Sequence, residues 1–104
     1  MSEGSLSYRI VFSPDAEEQL HGLAARQQAL VLDQVERHLA HQPTAETRNR
    51  KRMRPNPLAP WELRIADLRV YYDVESLPEP TVSIRAVGAK EHSQLRIAGK
   101  VVQI

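Results

Sequence analysis

WELRIADLRVYYDV, residues 61–74, is the stretch whose reading decides the fold. In its first half Trp61, Leu63 and Ile65 alternate with Glu62 and Arg64; in its second, Leu68, Val70 and Tyr72 alternate with Arg69, Tyr71 and Asp73. A period of two marks a strand with one face on a core, because successive side chains of an extended chain point to opposite sides. The break at Ala66-Asp67 is short enough for a tight hairpin, although it lacks the Asn-Gly or Asp-Gly pair such turns favour. Two antiparallel strands are expected, sharing an aliphatic face and presenting Arg64 and Arg69 near the turn on the other.

Working outward, residues 8–12 alternate through Tyr8, Ile10 and Phe12 and read as a short strand, preceded by a loose end at residues 1–7. Ser13-Pro14-Asp15 then starts a helix: the serine can cap free amides, proline suits the first helical position, and Asp15, Glu17 and Glu18 complement the positive end of the helix dipole. Ala16, Leu20, Leu23 and Ala24 form one apolar stripe to about residue 25. A second stripe, Leu32, Val35 and Leu39 supported by Val31, predicts another helix over residues 26–41, ending before Pro43. The stripe changes phase between them, which favours a helical hairpin over one bent helix.

Prolines at 43, 55, 57 and 60 make residues 42–60 a connection, with a short extended piece near residues 50–53. SLPEP at 76–80 is a turn, residues 81–87 resume alternation, and Gly88 closes that strand. In the tail, residues 89–104, the closing IAGKVVQI forms either another short strand or an apolar end awaiting a partner. The order β-α-α-β-β-β gives the α+β class, an N-terminal helical hairpin packed on a small, mainly antiparallel sheet, and 104 residues suit a single domain spanning 1–104.

Fourteen Lys and Arg against thirteen Asp and Glu leave a formal charge of only +1, but the distribution is uneven. Arg48, Arg50, Lys51, Arg52 and Arg54 crowd just ahead of the hairpin that carries Arg64 and Arg69. Such local asymmetry creates a surface field that the total hides. With no cysteine there is neither a disulfide framework nor a zinc-thiolate site. No apolar run approaches the roughly 20 residues of a membrane span, and the start lacks a secretory pattern, so a cytoplasmic protein is expected.

LRIADLRVYYDV is similar to the arginine, aliphatic, aromatic strand of the RelE/ParE toxin superfamily, and IRAVGAKEH to its terminal strand ending in glycine and a basic residue. With SPDA opening the helix pair, the chain resembles that superfamily over nearly its whole length. The resemblance implies the toxin of a type II toxin-antitoxin pair, silenced by a cognate antitoxin protein. Two activities occur among such toxins: metal-independent cleavage of mRNA at the ribosome by RelE-like members, and poisoning of DNA gyrase by ParE-like ones. The first is the preferred expectation; a degenerate member that only binds antitoxin is a further alternative. None of these calls for a cofactor.

The same resemblance points to residues. Arg69 matches the family's phosphate-contacting arginine, a planar fork suited to two phosphate oxygens. Arg64 stands opposite, where RelE-like enzymes often carry lysine. Lys90 falls where the family places a basic residue after the last strand, and His92 near the place where some relatives use a histidine acid. Glu62 replaces a basic residue, and Arg96 stands where others carry tyrosine; an arginine does not exchange protons near neutral pH. For RNA binding, Arg48, Arg50, Lys51, Arg52, Arg54 and Arg96 would meet phosphates, and Tyr71 would stack a base. Trp61 reads better as core, and His21, His38 and His41 as helix-surface residues.

Overall fold

The computed structural model describes residues 7–104, so all but the last residue of the expected loose end lies outside the described residues. The elements run β1 (Arg9–Phe12), α1 (Pro14–His21), α2 (Ala25–Leu39), β2 (Arg50–Arg52), β3 (Trp61–Ile65), β4 (Leu68–Glu75), β5 (Thr81–Glu91), β6 (Gln94–Ile97) and β7 (Lys100–Val102). The strands make one sheet in the order β2-β3-β4-β5-β6-β7, antiparallel throughout, with β1 lying parallel to the first half of β5.

Both helices cover one face. Ser13 caps α1 by accepting the Ala16 amide at 3.0 Å, with Pro14 at the first helical position; a cap of this kind stabilises a helix by about 1 kcal/mol. α1 ends at His21 with Gly22 as its C-cap, a few residues earlier than the stripe suggested, and α2 begins at Ala25, whose preceding amide is taken by the Gln27 side chain. The face α2 buries is Val31, Val35 and Leu39; Leu32, expected in that stripe, is 49% exposed. The 31, 35, 39 spacing already fills the stripe, and Leu32 sits a hundred degrees round from Val31. Beneath the helices, Leu63, Val70, Tyr72, Val82 and Ile84 form the principal core. The Tyr72 hydroxyl is buried, donates to the Pro43 carbonyl at 2.6 Å and so ties β4 to the end of the helical layer. Burial pushes the pKa of this phenol up.

The sheet extends further than the sequence suggested. Gly88 does not close β5; the strand continues to Glu91 and returns through β6 and β7 in two tight hairpins. A side chain at Gly88 would collide with the Arg96 carbonyl and with Ile97, so glycine here admits β6 against β5. Between β1 and β6 no strand among the described residues pairs with that flank of β5, and the Gln19 side chain accepts the Val87 amide at 2.9 Å instead. The face away from the helices is also not simply a charged surface. The proline-rich loop folds across it, placing Leu58 and Ala59 with Met53 over Tyr71, Ala86, Leu95 and Ile97 as a second, smaller core. Asn56 shapes that loop, accepting the amides of Leu58 and Ala59 and donating to the carbonyls of Arg54 and Ala59.

Candidate nucleic-acid interface

The helix-free face inherits its chemistry from strand register. Lys51, Glu62, Tyr71 and Ala86 form one cross-strand row, and Arg64, Arg69 and Gly88 the next. Arg64 and Arg69 are therefore direct neighbours on this face, as alternation required. Two like charges placed opposite one another are unfavourable, and each is answered separately. Arg64 donates through Nε to Glu62 Oε1 at 2.8 Å. Arg69 donates through Nη1 to the carbonyls of Ala66 and Leu68 at 2.8 and 2.9 Å, and its buried Nε has no hydrogen-bond partner among the described residues.

A concavity of about 490 Å³ opens beside Arg64, bounded by Glu62, Met53, Lys90, Ser93 and Gln94. Residues 101–104 close its far wall. Lys90 is brought there because β5 runs past Gly88, and its amide is fixed on the hairpin turn by the Asp67 carbonyl at 2.8 Å. A second hollow of about 510 Å³ shares Met53 and Ile104 with the first and carries Arg52 and Arg54 in its lining. Arg64, Lys90 and Arg54 thus border one continuous stretch of surface, with Lys51 one strand away. His92 lies at the β5–β6 turn, exposed, with both it and Ser93 in left-handed backbone at φ 52 and 68; only Ser93 lines the concavity.

Several expected site residues lie elsewhere. Arg50 pairs in register with Leu63 and so points to the helix side, where it is buried and donates to the carbonyls of Ala45 and His38 at 2.8 and 2.7 Å. It is a structural strut. Arg52 is exposed and lines the second hollow beside Arg54, but it pairs with Trp61 and places its guanidinium 5.7 Å from that ring, which itself stacks on Tyr72; a cation over an aromatic face is held by the ring quadrupole. Arg96 sits in the row of Ala89, on the α1 side of the sheet, 3.4 Å from Glu91. Arg48 is exposed ahead of β2. Tyr71 is fully buried and cannot stack a base; its hydroxyl donates to Glu62 Oε2 at 2.8 Å. Burial first, and then that bond, push its pKa upward.

Met53, Ser93, Gln94 and residues 101–104 complete the walls without having been expected there. The signal for the last group was present: Ala98-Gly99 separates two apolar runs as a two-residue hairpin would, and that register sets Val102 against Leu95. Among the described residues no group of three or more His, Asp or Glu side chains is placed to hold a metal ion, and no helix is long and apolar enough to cross a membrane.

Architecture and surface together define an α+β protein with two helices on one side of a mainly antiparallel sheet and a basic hollow on the other. The same fold occurs in the crystal structure of the toxin-antitoxin complex RelBE2 from Mycobacterium tuberculosis, which matches with a TM-score of 0.64 at 24% identity, over 81% of this chain and 99% of that one. The α+β fold expected from the order of elements, and the RelE-like form of it implied by the resemblance, is the fold observed. No family model matches the sequence, and no curated protein matches it.

Proposed function

We propose that this protein is the toxin of a toxin-antitoxin pair and that it cleaves mRNA on the ribosome without a metal cofactor. The observation that carries the reading is the basic concavity on the helix-free face of a RelE-like fold, where Arg64 and Lys90 converge. In such a reaction the ribose 2′-oxygen attacks the adjacent phosphorus, the bond to the 5′-oxygen breaks, and a cyclic 2′,3′-phosphate remains on the upstream fragment. The dianionic transition state needs positive charge that is already in place, which Arg64 would supply through the part of its guanidinium not engaged by Glu62. Lys90 would add charge and is the best-placed group for moving a proton, with His92 next in line from the neighbouring turn.

Arg54 and Lys51 would hold flanking phosphates without reading sequence. A cognate antitoxin would cover this surface, and the site of action would be the cytoplasm, where ribosomes and mRNA are. The test is induction of the wild type and of Arg64→Ala in growing cells, followed by mapping of RNA ends and DNA breaks. New 2′,3′-cyclic ends in translated messages that disappear in the variant are expected. Intact messages with gyrase-dependent DNA breaks would replace this reading by gyrase poisoning.

A further inference from the structure

Glu62 is a buried charge to which the proposed reaction assigns no role. It is 4% exposed and sits in the row between Lys51 and Tyr71. Both carboxylate oxygens are engaged: Oε2 accepts the Tyr71 hydroxyl at 2.8 Å, and Oε1 accepts Arg64 Nε at 2.8 Å. Tyr71 is itself immobilised, fully buried in the small core beneath the proline-rich loop. A carboxylate so enclosed is poorly placed to take a proton from a ribose hydroxyl. It is well placed to hold another group still.

The group it holds is a long side chain that would otherwise sample many rotamers. Arg64 is 44% exposed and lines the concavity. Gripping it at Nε fixes the plane of the guanidinium and leaves the terminal nitrogens for a ligand. A charge-assisted bond anchored on a rigid neighbour is the kind of support that a binding group needs to be oriented before the ligand arrives. The carboxylate also offsets the repulsion between Arg64 and Arg69, which face one another in register.

We propose that Glu62, braced by Tyr71, is a positioning residue that presents Arg64 in one orientation to an RNA phosphate in the concavity. The proposal rests on the RNA reading given above, and two readouts separate them. The first needs no RNA: the ¹⁵N–¹H signal of Arg64 Nε in the full chain. The expected result is a signal that is resolved and slow to exchange in the wild type and that collapses into the solvent-averaged arginine signals in Glu62→Gln. The corresponding signal of the buried Arg50 stays in place and certifies the fold.

The second readout is the affinity for a short 2′-O-methyl RNA, which cannot be cleaved. Glu62→Gln weakens binding by about tenfold, and in the Arg64→Ala background the same change has no further effect. An Arg64 signal unchanged in Glu62→Gln would overturn the proposal, as would two substitutions whose effects on binding simply add. A wild type whose Arg64 signal is fixed but which binds no RNA would overturn the RNA reading while retaining the lock between Glu62 and Arg64. Tyr71→Phe, which removes the brace and keeps the ring, should broaden the Arg64 signal without abolishing it.

Discussion

Arg64 and Arg69 are direct cross-strand partners, yet their guanidinium groups are turned apart: Arg64 reaches back along β3 to Glu62, and Arg69 reaches into the turn to the carbonyls of Ala66 and Leu68. Only Arg64 lines the concavity with Lys90. The two arginines are therefore not equivalent. Under the proposed reaction, Arg64→Ala should lower single-turnover mRNA cleavage on programmed ribosomes by about 10²–10³-fold, the usual effect of removing one preorganised donor. Arg69→Ala should lower it by no more than about tenfold and act chiefly on the turn. The reverse order would mean that Arg69 leaves the turn to take the phosphate.

Arg50 makes a prediction of the opposite kind. Its guanidinium donates to two carbonyls, that of His38 at the end of α2 and that of Ala45 in the following loop. Arg50→Ala should destabilise the fold by roughly 2–4 kcal/mol, since two charge-assisted bonds to part-buried carbonyls are lost. Arg50→Lys should recover little, because an ammonium cannot span both carbonyls as a planar fork does. Lys51→Ala, one residue along and exposed, should leave stability within about 0.5 kcal/mol. Urea denaturation of the three variants measures the contrast.

What could be read in advance follows from which forces are local. The β3–β4 register, the Arg64–Arg69 adjacency and the start of α1 are written in alternation and capping residues, and all three occur as expected. The fates of Arg50, Arg52 and Tyr71 depend on partners far along the chain. An edge strand of three consecutive basic residues has no alternation to betray which face each takes; its pairing with β3 buries Arg50 on the core side, sets Arg52 exposed against the Trp61 ring and sends Lys51 to the open face. Tyr71 shares its strand face with Arg69, which makes it a stacking candidate from sequence, and its cover comes from a loop whose prolines carry no periodic signal. Leu95 and Ile97 were legible only once Ala98-Gly99 is taken as a turn.

Gly88 tests how tightly that tail is bound. Exchanging glycine for alanine in a strand ordinarily stabilises by reducing the freedom of the unfolded chain. Here the new methyl carbon would stand 2.5 Å from the Arg96 carbonyl oxygen and 2.7 Å from Ile97 Cγ1. Backbone cannot yield as a flexible side chain can, so the sign reverses. Gly88→Ala should destabilise by about 1–3 kcal/mol and should loosen β6 and β7 first. Hydrogen exchange is the appropriate measurement, because it separates early loss of protection at Leu95 and Ile97 from a uniform decline across the sheet.

His38 gives the fold a pH dependence on the acid side. It stands in the last turn of α2, with Nε2 3.1 Å from Gln34 Oε1 and its own carbonyl taken by Arg50. Partial burial, followed by the positive charges of Arg50 and Arg37, lowers its pKa from the ordinary 6.5. Below 6.5 the unfolded chain therefore binds this proton more readily than the folded one, so protonation favours unfolding. The contribution of this histidine to stability is complete above pH 6.5 and declines as the pH falls through 6.5 towards the lowered folded value. Urea midpoints between pH 7.5 and 5 should drop less steeply in His38→Gln, which keeps a polar side chain beside Gln34 and cannot be charged. Parallel pH profiles for the two proteins would show that the neighbouring arginines do not oppose this proton.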